Sequence, residues 1–241
     1  MLLLPVCVKL KPNTDHTGGI FLLKYLVLAL FAAVSAVHLY HSWRDDAKRR
    51  AYTKPFLLIL LLGFYLLSAK RISPVLTAAL AASWLGDVLL IPKGTPWFLS
   101  GGISFLVSHI LFIFVYLPAV RFSPSFLWLV LPAAVLYYGV SVAVTLSVRQ
   151  NMPKAMLIPM ILYLLFNSTM NLFALMQLMT LKSAGAALAY AGAVFFFVSD
   201  CTLYLVRYHK NTDLIFKKHF TVMLTYLLGE SLITAGMLLI A

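Results

Sequence analysis

The sequence predicts an all-α polytopic membrane protein, folded as a bundle of eight transmembrane helices. Of its 241 residues, 62% are hydrophobic and only 11% are charged, and the mean hydropathy is +0.95. A soluble domain carries roughly 25% charged residues, so this chain has more apolar surface than folding in water can bury. The apolar runs are long and continuous, which favours helices over the short alternating strands of a membrane barrel.

A helix needs about 20 apolar residues to cross the hydrocarbon core, and each predicted span is an apolar run near that length except the second, which is short. The connections are short and many hold Pro or Gly, so no segment is long enough for a soluble domain. Residues 1–241 are therefore predicted to form a single membrane domain. The spans are predicted at 20–40, 55–69, 73–91, 98–118, 125–147, 155–178, 184–206 and 219–240.

The distribution of basic residues predicts the orientation. The connections 1–2, 3–4, 5–6 and 7–8 hold twelve of the nineteen Lys and Arg residues. The side richer in these residues is cytoplasmic by the positive-inside rule, so both termini are predicted to be non-cytoplasmic. Lipid head groups account for the net charge of +12, and no nucleic-acid partner is expected. The expected location is a cell membrane, namely the bacterial inner membrane.

The two cysteines and the N-terminus exclude several alternatives. Cys7 lies near the N-terminus and Cys201 inside span 7, so neither a structural disulfide nor a cysteine metal site is expected. No positive segment followed by a cleavable apolar one opens the chain, so no removable signal peptide is expected.

Three carboxyl groups lie inside predicted spans. Asp87, Asp200 and Glu230 are each the only formal charge of spans 3, 7 and 8. A charge at the bilayer centre costs about 2.5–3.5 kcal/mol, so such residues usually face the bundle interior and have a function. Asp87 and Asp200 each lie one to two turns before the predicted cytoplasmic end of their helix. We therefore expect both at one depth, where they can form a site.

Other polar residues recur at helical spacing, which places them on shared faces. Ser83 precedes Asp87 by four residues, Tyr226 begins a four-residue repeat in span 8, and Asn167 belongs to a similar repeat in span 6. Interhelical hydrogen bonding alone could also explain the span 6 repeat, so both interpretations stay open.

Span 4 combines a histidine with a glycine pair. Gly101-Gly102 would let another helix or a ligand approach closely. His109 is compatible with a hydrogen-bonded interior histidine as well as with a ligand or a base.

Several segments resemble the YhhN family of membrane proteins, whose characterised members are lysoplasmalogenases. Together they cover nearly the whole chain in the family's order. They are YTKP at 52–55, LAASWLGDVLLI at 80–91, WFLSGGISFLVSHILFIFVY at 97–116, GAVFFFVSDCTLYLVRY at 192–208 and TYLLGESLI at 225–233. One departure is Glu230, where the family usually has Gln.

The resemblance implies hydrolysis of the vinyl ether bond of lysoplasmalogens to a fatty aldehyde and a glycerophospho-base. It places the family's proposed catalytic aspartates at Asp87 and Asp200. The chemistry needs a proton for the alkene carbon and a negative charge facing the resulting oxocarbenium ion. Two carboxyl groups that share one proton supply both. Which aspartate is the acid stays open, because a coupled pair titrates as a unit.

The substrate is expected to be a lysophospholipid that enters from the bilayer, among membrane lipids, and no cofactor or metal is expected. Lys54, or other basic residues on the rim, is expected to hold the phosphate. Tyr226, Glu230 and His109 are expected to position water or the substrate oxygen. The binding or supporting residues are Ser83, His109, Asn167, Tyr226, Glu230 and Lys54.

Two alternative functions stay open. A metal-dependent lipid hydrolase could use His109 with Asp87 and Asp200, although catalytic zinc usually has three firm ligands with His prominent. A proton-coupled transporter of a lipid or small amphiphile could also use paired intramembrane carboxylates. No convincing internal repeat of the transporter kind is present in the sequence.

Overall fold

The computed structural model describes residues 14–211 and 213–240, with side chains described from residue 21 onward. Within these residues it contains helices and connections but no strand, which confirms the all-α class. The expectations about Cys7 and a signal peptide fall outside the described residues. The helices are α1 Thr14–Trp43, α2 Ala47–Ser68, α3 Pro74–Leu89, α4 Thr95–Tyr116, α5 Leu127–Val148, α6 Lys154–Leu181, α7 Ala184–Tyr208 and α8 His219–Ile240.

The number of full-length spans differs from the prediction. Within the described residues, seven helices are long and apolar enough to cross a membrane, and α3 is the shorter apolar helix. It has 16 residues, so it is about 24 Å long, against about 30 Å of hydrocarbon. The Ser73 side chain caps its start and Pro74 occupies the first turn, while Pro92 follows its end. The prediction of eight spans is thus corrected: among the described residues seven helices are long enough to cross a membrane, and α3 is short.

Helix α2 is longer than predicted. It begins at Ala47, where the Asp46 side chain accepts a hydrogen bond from the Arg49 N–H and caps the helix. Pro55, where the span was expected to begin, lies inside the helix. The Pro55 carbonyl accepts a hydrogen bond of 2.9 Å from the Trp84 indole of α3. Helix α2 therefore begins with polar turns and continues as an apolar segment.

The helices form a circuit of neighbours. Contacts join α1 to α2, α2 to α3, α3 to α4, α4 to α6, α6 to α7, α7 to α8, and α8 back to α1 and α2. Helix α5 lies outside this circuit against α6 and α7. Large apolar side chains such as Leu22, Trp128 and Val135 are more than two-thirds exposed, as expected for surfaces that face lipid.

Glycine brings α7 and α8 into backbone contact. A Cβ at Gly192 would lie 2.6 Å from the Gly229 carbonyl oxygen and 2.6 Å from the Ile233 nitrogen. Small residues allow this close approach in membrane helices, where packing rather than the hydrophobic effect drives association. The close pairing fixes Asp200 on α7 relative to Tyr226 on α8.

Candidate functional site

A cavity of about 340 Å³ opens at one end of the bundle. The cavity is lined by residues near the ends of α1, α3 and α7 and near the starts of α2, α4 and α8. Asp87 and Asp200 both line it, although they are only 1% and 4% exposed. The structure thus brings the two aspartates of the predicted site to one cavity. The start of α1 and the end of α8 lie at the opposite end of the bundle.

The cavity has a basic mouth. Lys54 lines it, as do three further basic residues that the sequence argument did not single out: Arg50, Lys93 and Arg207. Their signal in the sequence was the concentration of Lys and Arg in the connections at this end. Anionic groups are attracted to such a mouth.

Asp87 is paired with a cation. Lys54 Nζ lies 3.2 Å from Asp87 Oδ1, and the two side chains are only 16% and 2% exposed. The Tyr226 hydroxyl donates to Asp87 Oδ2 at 2.9 Å. The Tyr226 ring is fixed edge-on against Phe105 and Phe196, with centroids 5.8 and 5.5 Å away. Both oxygens of Asp87 therefore have a partner, and one partner carries a formal charge.

Asp200 has different partners. The Asn167 amide donates to Asp200 Oδ2 at 2.7 Å, and His109 Nε2 lies 3.2 Å from the same oxygen. Asn171 donates to Asn167 Oδ1 at 3.1 Å, which turns the Asn167 NH₂ towards Asp200. The His109 ring packs edge-on against Tyr163, with centroids 4.9 Å apart. His109 and Asn167 thus contact the carboxyl group from behind the cavity wall.

Two predicted residues lie deeper than the cavity. Ser83 is fully buried, and its hydroxyl pairs with Ser108 at 2.7 Å, which ties α3 to α4. Glu230 is also fully buried, and neither of its carboxyl oxygens has a hydrogen-bond partner among the described residues. Neither side chain lines the cavity wall.

The described residues offer little to a metal ion. No three His, Cys, Asp or Glu side chains among them come together as a ligand set. His38 is buried at the cavity wall, and its Nδ1 lies 2.7 Å from the Thr53 hydroxyl. Its polar contact is therefore with a hydroxyl group.

The fold and the cavity define a polytopic α-helical membrane protein with two buried aspartates beneath a basic mouth. Residues 49–237 match the model of the YhhN family, so the chain belongs to the YhhN family. The match covers every residue of the site from Lys54 to Glu230. No curated protein and no solved structure matched the chain.

Proposed function

We propose that this protein is a lysoplasmalogenase, which hydrolyses the vinyl ether bond of a lysoplasmalogen to a fatty aldehyde and a glycerophospho-base. The observation that carries the proposal is that Asp87 and Asp200 line one cavity beneath a basic mouth. Membership of the YhhN family supports the same activity.

The two aspartates have different surroundings, which suggests that they have different roles in catalysis. Asp87 is paired with the Lys54 ammonium and accepts from Tyr226, which suits a carboxylate that faces a positive reaction centre. Asp200 has an amide and an imidazole as partners, and a buried carboxyl group without a formal cation favours the neutral form. We assign Asp200 as the acid and Asp87 as the electrostatic partner.

The proposed reaction follows from these assignments. Asp200 gives its proton to the second carbon of the alkenyl chain, and the first carbon becomes an oxocarbenium ion facing Asp87. Water adds to that carbon and returns a proton to Asp200. The resulting hemiacetal transfers its hydroxyl proton to the glycerol oxygen as the C–O bond breaks. One water is consumed, and both carboxyl groups end as they began.

In this proposal the basic residues of the mouth bind the phosphate of the substrate head group. A phosphate at Arg207 and Lys93 would leave the glycerol pointing inward, towards the two aspartates. Lys54, expected from the sequence to hold the phosphate, lies against Asp87 instead. In the proposal it therefore balances the charge of Asp87, and the other basic residues of the mouth take the phosphate.

The test is aldehyde release from a choline or ethanolamine lysoplasmalogen by purified protein. Asp87→Asn and Asp200→Asn should each abolish turnover and still elute as folded protein in detergent. Asp213→Asn is the matched control, because that carboxylate is 88% exposed and pairs with Lys218 away from the cavity lining. Full activity in both cavity variants would overturn the assignment.

A second candidate is proton-coupled transport of a lipid or small amphiphile. It is favoured by Glu230, a buried carboxyl group beyond the cavity that has no hydrogen-bond partner among the described residues. Glu230→Gln discriminates between the two functions. It should leave aldehyde release intact if the protein is a hydrolase, and it should abolish proton flux into liposomes if the protein is a transporter.

A further inference from the structure

A narrow apolar groove lies between α4 and α6, next to the main cavity. It is lined by Gly102 and Ile103 of α4, by Pro159 and Tyr163 of α6, and by Tyr204 of α7. Ile103 is 50% exposed, so the groove meets the surface that faces lipid. In this conformation its volume is only about 20 Å³, against about 340 Å³ for the cavity.

One residue is common to the linings of the groove and the cavity. Phe98 lines both, and its side chain is buried. Its ring lies beneath the Arg207 guanidinium, 3.9 Å from the centroid, and meets the Tyr204 ring edge-on at 6.2 Å. The Phe98 ring therefore lies where the apolar groove and the polar cavity meet.

The groove and the acid group lie at one depth. Gly102 is seven residues into α4, about 10 Å from the helix start. Asp200 is eight residues before the end of α7, about 12 Å from the same end of the bundle. A lipid whose head group is at the mouth has its first chain carbons at this level, so its chain can leave sideways.

We propose that the groove between α4 and α6 is the lateral portal that holds the hydrocarbon chain of the lysolipid, with the Phe98 ring as its gate. The inference rests on the proposed function and adds the location of the substrate's hydrocarbon chain. Continuity with the cavity through Phe98 and exposure to the bilayer beside Ile103 select a single lipid chain as the occupant. A phosphate that draws Arg207 away from the ring would loosen the gate when the head group binds.

Gly102 offers a selective block. A Cβ at Gly102 would meet no atom within 4 Å, so Gly102→Leu can fold while it fills the groove. Gly139→Leu is the matched control, because that position in α5 is also open, is exposed and is not part of the cavity lining. Aldehyde release is measured with lysoplasmalogens that carry a sixteen-carbon or a four-carbon alkenyl chain.

The portal predicts a loss that depends on chain length. Gly102→Leu should lower kcat/KM at least about tenfold for the long chain and less than about twofold for the short one. Gly139→Leu should change neither. Equal losses on both chains, or no loss on the long one, would overturn the portal. An absence of aldehyde from the wild type with any substrate would overturn the proposed function instead.

A binding measurement tests the portal without turnover. Lysophosphatidylcholine with a diazirine in mid-chain is photolysed with wild-type protein in detergent, and the labelled peptides are identified by mass spectrometry. Labels should concentrate on the groove segments of α4 and α6, around Gly102 and Pro159, and fall in Gly102→Leu. Labels spread evenly over α1 and α5 as well would overturn the portal.

Discussion

Replacing Tyr226 with Phe removes one hydroxyl from the site and little else. The hydroxyl donates to Asp87 at 2.9 Å, while the ring packs edge-on against Phe105 and Phe196. Phenylalanine keeps the ring and its packing, so the variant should fold, and its loss of stability should be limited to that of one hydrogen bond. The change isolates the hydrogen bond to one oxygen of the carboxylate.

The size of the effect follows from that bond. A hydrogen bond to a charged group is worth about 1.5–3 kcal/mol. If Asp87 faces the oxocarbenium ion, loss of the hydroxyl frees the carboxylate to turn from the reaction centre. The loss then falls on the transition state, so kcat should drop about ten- to hundredfold with little change in KM.

The assay is aldehyde release by Tyr226→Phe beside Tyr137→Phe. Tyr137 is a suitable control because it is also buried and its hydroxyl lies 2.9 Å from that of Tyr190, on the α5 side of the bundle. The control should keep at least half of the wild-type kcat. If Tyr226→Phe does the same, Tyr226 does not orient Asp87 for catalysis.

Two further predictions concern stability. Lys54→Met leaves Asp87 buried without a cation, so thermal unfolding in detergent should show a loss of stability of about 3 kcal/mol. Lys154→Met, at an exposed position, should change stability little. Equal stability of the two variants would mean that the ion pair between Lys54 and Asp87 does not stabilise the fold. Gly192→Ala should cost about 1–3 kcal/mol, because its Cβ would lie 2.6 Å from backbone atoms of α8. Gly139→Ala, with no atom within 4 Å, should leave stability unchanged or raise it by up to about 1 kcal/mol, because alanine favours a helix over glycine. An equal effect at both positions would mean that the contact between α7 and α8 is not tight.

The sequence predicted the helices better where apolar runs were long than where prolines intervened. Span 8 was predicted at the observed bounds, and span 7 within two residues. Span 2 was predicted to begin at Pro55, because proline usually marks a boundary and the preceding turns are basic. In the structure those basic turns are helical, since Asp46 caps them. The single membrane domain, the orientation of the termini and the bacterial membrane stay predictions.

For the site, the sequence could predict only the depth of each residue along its helix. Intramembrane charge singled out Asp87 and Asp200, and their distance from the helix ends placed them at one level. Lateral contacts were not predictable, because they depend on which helices are neighbours. Thus Lys54 was assigned to phosphate but pairs with Asp87, and His109 was assigned to substrate but lies behind Asp200. Phe98 was not singled out at all, since an apolar residue in a span carries no signal.

The cavity lies where the first turns of α2, which were not predicted to be helical, meet the end of the short helix α3. Helix α3 stops after about 24 Å, whereas α2 with 22 residues runs about 33 Å and α7 with 25 runs about 37 Å. Asp87 lies two residues before the end of this short helix. The extra turns of α2 carry Arg50 and Lys54 into the cavity wall. Asp87 can therefore stay inside an apolar bundle because the adjacent helix extends far enough to supply its cation.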